Sequence, residues 1–139
     1  MIDKVICDGE LQAIIISSSY KKEGIEFFTP HDFSQQLAYM NRPKGYQIEP
    51  HIHNPVLREV HFTQEVLFIR SGKVKVDFYS QNQVFLESRT LVKGDVIMLA
   101  SGGHGFTMLE PTEIIEVKQG PYAGDMDKKR FEGVASKVK

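Results

Sequence analysis

An all-β, single-domain fold is what this sequence predicts, as a sandwich or barrel of short antiparallel strands. Three observations carry that expectation. Apolar and polar residues alternate two by two through much of the chain from residue 46 onward. Short runs rich in Val, Ile and Phe are separated by Gly, Asn, Asp and Ser turns at close spacing. No strand–helix–strand rhythm of the kind that builds a parallel sheet is present.

The elements follow in order. Residues 11–17 read as a strand, residues 32–37 as one short helical turn after Pro30, and residues 39–42 as the entry to the sheet. Val66-Leu67-Phe68-Ile69 reads as a buried strand and Ser71-Gly72 as a tight turn. Lys73-Val74-Lys75-Val76-Asp77-Phe78 alternates charge with apolar side chains, and the two runs together predict a hairpin with one wet face. Ser80-Gln81-Asn82 turns the chain, and Val84-Phe85-Leu86-Glu87 returns as a strand. Gly94-Asp95 precedes the strand Val96-Ile97-Met98-Leu99, and Gly102, Gly103 and Gly105 predict a loop with unusual backbone angles. Residues 112–118 read as a final core strand, and the last residues, 135–139, as frayed. The N-terminal strands fall in 1–36, the core in about 37–120 and a tail in 121–139.

Composition excludes several classes of function. The chain of 139 residues carries a formal charge of -1 with no segregation of basic from acidic halves, which supplies no field for nucleic acid or an anionic membrane. Ala13-Ile14-Ile15-Ile16 is too short for a membrane span and lacks the flanks of a signal peptide. Cys7 is the single cysteine, so no internal disulfide forms and a reducing cytoplasm is the expected compartment.

The residues with chemistry are dispersed. His51 and His53 stand two apart, so an extended strand projects both from one face. Glu65 lies seven residues before Gly72, and His104 follows a small-residue turn. Three imidazoles and one carboxylate form a donor set suited to one divalent ion, whether zinc, iron, manganese or nickel. Glu59 and His61 share parity with Glu65, which makes them candidates for a general acid or base. Arg58, Lys118 and Arg130 are candidates to pair with an anionic group. Ser101-Gly102-Gly103-His104-Gly105 is not a phosphate loop, because no Gly-Lys-Ser/Thr follows it.

These residues resemble the two motifs of the cupin superfamily. Gly45, five residues and His51-Ile52-His53, then Glu65, six residues and Gly72, match the outer spacings of its first motif. The gap of eleven residues between His53 and Glu65 is longer than the motif's own. Gly94 through His104 is similar to the second motif, with Ala100 in place of proline and one residue fewer. The resemblance implies a small antiparallel jelly-roll barrel (the cupin double-stranded β-helix) with His51, His53, Glu65 and His104 holding a metal in its mouth.

A second resemblance lies in Ile115-Glu116-Val117, Gly120, Tyr122, Gly124, Asp127 and Arg130-Phe131-Glu132. It is to the C-terminal cupin domain of type II mannose-6-phosphate isomerases and implies a role in carbohydrate or polysaccharide metabolism. An arginine follows the histidine pair in that family and is tied to isomerisation; Asn54 stands here, with Arg58 as a possible substitute inside the 54–64 insertion. Residues 125–130 otherwise read as a solvated charged turn, with Arg130 and Tyr122 set apart from it as ligand contacts.

The expected activity is metal-assisted isomerisation or epimerisation of a small sugar phosphate or nucleotide-linked sugar, with His61, Glu59 and Arg130 catalytic and Arg58, Lys118 and Tyr122 binding the substrate. An iron-dependent dioxygenase and a non-catalytic binder of small ligands are the alternatives. The cupin resemblance implies a homodimer, with residues 1–20 contributing, and exposed strand edges invite such pairing.

Overall fold

The computed structural model describes residues 1–134. Ten strands account for its regular structure: β1 (Ile2–Cys7), β2 (Glu10–Ile16), β3 (Gly24–Phe27), β4 (Ala38–Asn41), β5 (Glu65–Ser71), β6 (Lys73–Tyr79), β7 (Phe85–Val92), β8 (Val96–Leu99), β9 (Gly103–Met108) and β10 (Glu113–Lys118). All pairings are antiparallel. One sheet runs β1-β2-β8-β5-β10, a second β7-β6-β9, and β3-β4 form a separate ribbon. The expected all-β class holds, as an open two-sheet arrangement rather than a closed barrel.

Period-two burial explains how the main sheets meet. Val5, Ala13, Ile15, Leu67, Ile69, Ile97 and Leu99 from the first sheet and Val74, Val76, Phe78 and Leu91 from the second form one buried cluster. Each Val, Leu, Ile or Phe side chain among them contributes about 1.5–3 kcal/mol when fully buried. Ile14 and Met98 point the other way yet are also buried, so both faces of the β2-β8 centre are covered. Near that outer face, the Gln64 side-chain oxygen accepts from the Ser34 hydroxyl and the Gln35 N–H, each at 3.1 Å.

The structure corrects several sequence expectations. β5 and β6 are not a hairpin: Gly72 carries the chain from one sheet to the other. Its φ is +92°, and a Cβ there would meet the Pro111 carbonyl oxygen at 2.3 Å. Two crossings, β5 to β6 and β9 to β10, therefore pack backbone against backbone at this point. The strand hairpin is β6-β7 instead. Gly103 and Gly105 belong to strand β9 rather than to a loop. β10 is an edge strand, and of its side chains Ile114 packs on the core.

Residues 32–37 form turns, because the Gln36 side chain donates to the Pro30 and Phe33 carbonyls at 2.9 Å and displaces helical pairing. No strand forms in 42–64, where Pro43, Pro50 and Pro55 withhold ladder donors. The expectation for 135–139 lies outside the described residues. Among the described residues no helix is long and apolar enough to cross a membrane.

The turn before β8 is held by Asp95, buried and accepting from the Ser18 and Val92 N–H groups at 2.8 Å each. Gly72→Ala should lower the unfolding free energy by about 2 kcal/mol or more, from strained φ and the collision with Pro111. Gly105→Ala, where a Cβ meets nothing within 4 Å, should cost less than about 1 kcal/mol. Urea unfolding of both variants checks this pair; equal costs would contradict the crossing as described.

Candidate functional site

Strand register assembles a polar cluster at one side of the sandwich. Glu65 opens β5 and shares parity with buried Leu67 and Ile69, so its carboxylate points between the sheets. Lys118 lies opposite Glu65 in the β5-β10 ladder and Glu116 opposite Leu67, which places both on the same inner face. On the other side of Glu65 its partner is Leu99, which is apolar and buried. His104 comes from the second sheet, where it sits opposite buried Phe78. Its Nε2 meets Glu65 Oε1 at 2.8 Å, with side-chain exposures of 28% and 12%.

Electrostatics follow from that geometry. The hydrogen bond from His104 holds the Glu65 carboxyl below its ordinary range, against the opposing effect of burial. Glu116 shifts the opposite way, first because its carboxyl bonds to that of Glu65 and then through burial and like charge. Glu116 therefore gives up its proton less readily than Glu65. Lys118 Nζ reaches Asp127 Oδ2 at 3.1 Å, and Asp127 also accepts from the Thr63 hydroxyl. Those contacts push Lys118 up and Asp127 down.

Beyond this cluster opens a cavity of about 320 Å³, lined by Lys118, Tyr122, Asp125, Asp127, Lys128 and Arg130 among others. Three of the residues assigned to ligand contact or catalysis, Lys118, Tyr122 and Arg130, thus line one basin. The expectation of a solvated charged turn at 125–130, with Arg130 and Tyr122 set apart, is corrected at Asp127, which ties the tail to β10 and to Thr63. Gly124–Met126 forms a short 3-10 turn there.

The remaining assigned residues fall elsewhere. His51 and His53 lie in the irregular, exposed 42–64 segment, their rings 5.3 Å apart, and the His51 ring nitrogen Nδ1 is 2.8 Å from the Glu49 carbonyl. Glu59 and His61 pair with each other at 3.4 Å, both largely exposed, and Arg58 is exposed beside them. Their shared parity with Glu65 has no effect, because the segment between is not extended as a strand.

Of the four expected metal donors, Glu65 and His104 meet and the histidine pair stays with itself. Among the described residues no group of three or more His, Cys, Asp or Glu side chains is placed to hold an ion. Glu116 and Asp127 entered the sequence reading only as part of the C-terminal resemblance, with no role at the site. Parity with Ile114 and Lys118 on a short strand was the available signal for Glu116; the contact between Thr63 and Asp127 left none.

No protein-family model, curated protein or solved structure matches this chain.

Glu116→Gln keeps a donor for Glu65 and removes the like charge. A carboxyl whose folded pKa is raised opposes folding once it ionises, so the variant should melt higher than the parent at pH 7. The gain should vanish as pH falls below the ordinary glutamate value of about 4.3. Glu65, shifted down, stabilises above that value, and its contribution drains away in acid. Calorimetric melting between pH 3 and 8 checks both signs; a lower melting point for the variant at pH 7 would contradict the upward shift of Glu116.

Proposed function

We propose that this protein binds a small anionic, sugar-like ligand in the basin beside Glu65 and His104 and moves protons on it, as a sugar-phosphate or nucleotide-sugar isomerase or epimerase does. The observation that carries this reading is the Glu65–His104 contact between the two sheets, next to a cavity lined by Lys118, Tyr122 and Arg130. Glu65, kept ionised by the imidazole, is available to take a proton from a carbon next to a carbonyl, as a weaker base than an ordinary glutamate. Glu116, which retains its proton more readily, is suited to return one. Arg130 and Lys128 supply charge for the ligand's anionic end, and exposed Tyr122 supplies a flat face for its ring.

A divalent ion belongs to the same reading only in part. Glu65 and His104 offer two donors; His51 and His53 do not join them in this arrangement, so the full donor set does not fit an ion here. No step is derived through one. That disagreement favours a second reading, a cupin-like binder of sugar ligands without catalysis. Iron-dependent dioxygenation would need the same four donors. Two copies associating through residues 1–20 fit the unpaired outer edge of β1.

The test follows solvent deuterium entering the carbon-bound positions of hexose phosphates, pentose phosphates and nucleotide sugars. The expected result is exchange with at least one ligand, lowered about 100-fold by Glu65→Gln. Arg130→Ala should raise KM about tenfold with little change in kcat. A ligand that binds and remains chemically intact for hours would remove the catalytic reading and leave the binder.

A further inference from the structure

The tail after β10 is fastened at two places, one on each sheet. The first is Asp127, which holds Lys118 of β10 at 3.1 Å and accepts from the Thr63 hydroxyl. The second is an aromatic seat on the other sheet. There Phe131 meets Tyr79 of β6 edge to face, with ring centroids 5.0 Å apart and planes at 87°. Phe85 of β7 flanks Tyr79 at 5.8 Å, and the Val134 N–H donates to the Tyr79 hydroxyl at 2.9 Å. Tyr79 follows core residue Phe78 on its strand and so faces away from the core, yet it is 4% exposed. The tail helps to cover it.

Two glycines are fitted to that seat. Gly103 lies opposite Tyr79 in the β6-β9 ladder, and a Cβ there would stand 3.0 Å from Phe131 Cζ and 3.1 Å from Tyr79 Cβ. At Gly133 a Cβ would stand 2.6 Å from the Tyr79 hydroxyl oxygen. Gly105, on the same face of β9 as Gly103, meets nothing within 4 Å. Neither Gly103 nor Gly105 has a positive φ, so alanine at either acts through contact rather than backbone strain. Along β9 the close fit belongs to the landing point of the tail.

Only residues 128–130 span the interval between the fastenings. A chain reaches at most about 3.3–3.6 Å per residue, so a bridge this short, held at both ends, has little room to relocate. Lys128 adjoins the Asp127 tie and Arg130 adjoins the Phe131 seat; both are exposed and both line the basin. Among the described residues Lys118 is paired with Asp127, whereas Lys128 and Arg130 enter no ion pair. Gathering an anion between flexible side chains costs ordering entropy, and the two fastenings remove the backbone share of it before a ligand arrives.

We propose that Phe131 is a positioning residue: seated between Tyr79 and Gly103, it holds Arg130 at the basin, where the guanidinium takes the phosphate group of the ligand. The role deepens the proposed function and rests on it for the ligand, while the seat rests on packing alone. Gly103 directly precedes His104, so the seat and the contact with Glu65 share one end of β9.

Two measurements on the full chain test the role. Inorganic phosphate is titrated and its binding followed by phosphorus NMR, and amide hydrogen exchange of the tail is read by mass spectrometry. Phe131→Ala should weaken phosphate binding about tenfold and speed exchange at 128–134 at least about tenfold, with exchange in β5 and β8 unchanged. Gly103→Ala crowds Phe131 from the other side and should do the same, whereas Gly105→Ala should do neither. Phe131→Leu keeps the seat apolar and filled and should recover most of the binding. A residue that acts through Arg130 adds nothing once Arg130 is gone, so Arg130→Ala with Phe131→Ala should bind no more weakly than Arg130→Ala alone. Losses that add in full, or binding that Arg130→Ala weakens and Phe131→Ala leaves unchanged, would overturn the positioning role and leave the proposed function standing. Exchange at 128–134 of the parent as fast as at 56–62 would overturn the seat. A parent that does not bind phosphate would overturn the role together with the anionic ligand of the proposed function.

Discussion

The carboxylate of Glu65 cannot sit between two apolar sheets without a partner, and His104 is that partner. Leu99 is its neighbour in one ladder, and Leu67 and Ile69 follow it on the same face of β5. A lone ionised carboxylate in such a place would cost several kcal/mol. The 2.8 Å contact with His104 offsets that cost and couples the first residue of β5 to the second of β9, across the sandwich. Glu116 and Lys118 then complete a polar island on an otherwise apolar inner surface.

The position of that island follows from topology. The chain changes sheet at Gly72, between β7 and β8, between β8 and β9, and between β9 and β10. That weaving leaves β9 and β10 as edges of different sheets at the same side of the molecule. The Asp3–Arg89–Glu87 latch lies between the opposite edges. Polar groups confined to a half-open side, next to a cavity lined by both lysine or arginine and aspartate side chains, are the arrangement ligand sites commonly take. Asp127 and Thr63 fix one wall of that cavity, so the tail after β10 shapes the basin rather than hanging from it.

Much of this was legible in the residues, for identifiable reasons. Alternation in 73–78 and the apolar runs at 66–69 and 96–99 mark strands because one face of each is buried on the core. Glu65 and His104 could be singled out by their spacing, one seven residues before Gly72 and the other behind the small-residue turn that follows Gly94. Pairing partners were not legible: Ser71-Gly72 looks like a hairpin turn, and only the close approach of Pro111 shows that it is a crossing. Alternation in 46–53 predicts a strand, yet three prolines and the lack of a neighbour leave it irregular. Asp127 was invisible as a site residue because its partner Thr63 is 64 positions away.

The central claim is that Glu65 and His104 act as one unit across the two sheets. A double-mutant cycle with Glu65→Gln and His104→Gln, read by urea unfolding at pH 7, measures their coupling directly. The account predicts a coupling of about 1–3 kcal/mol, as for a charge-assisted hydrogen bond shielded from solvent. Two losses that add with no coupling would contradict it and leave the polar island without its organising contact.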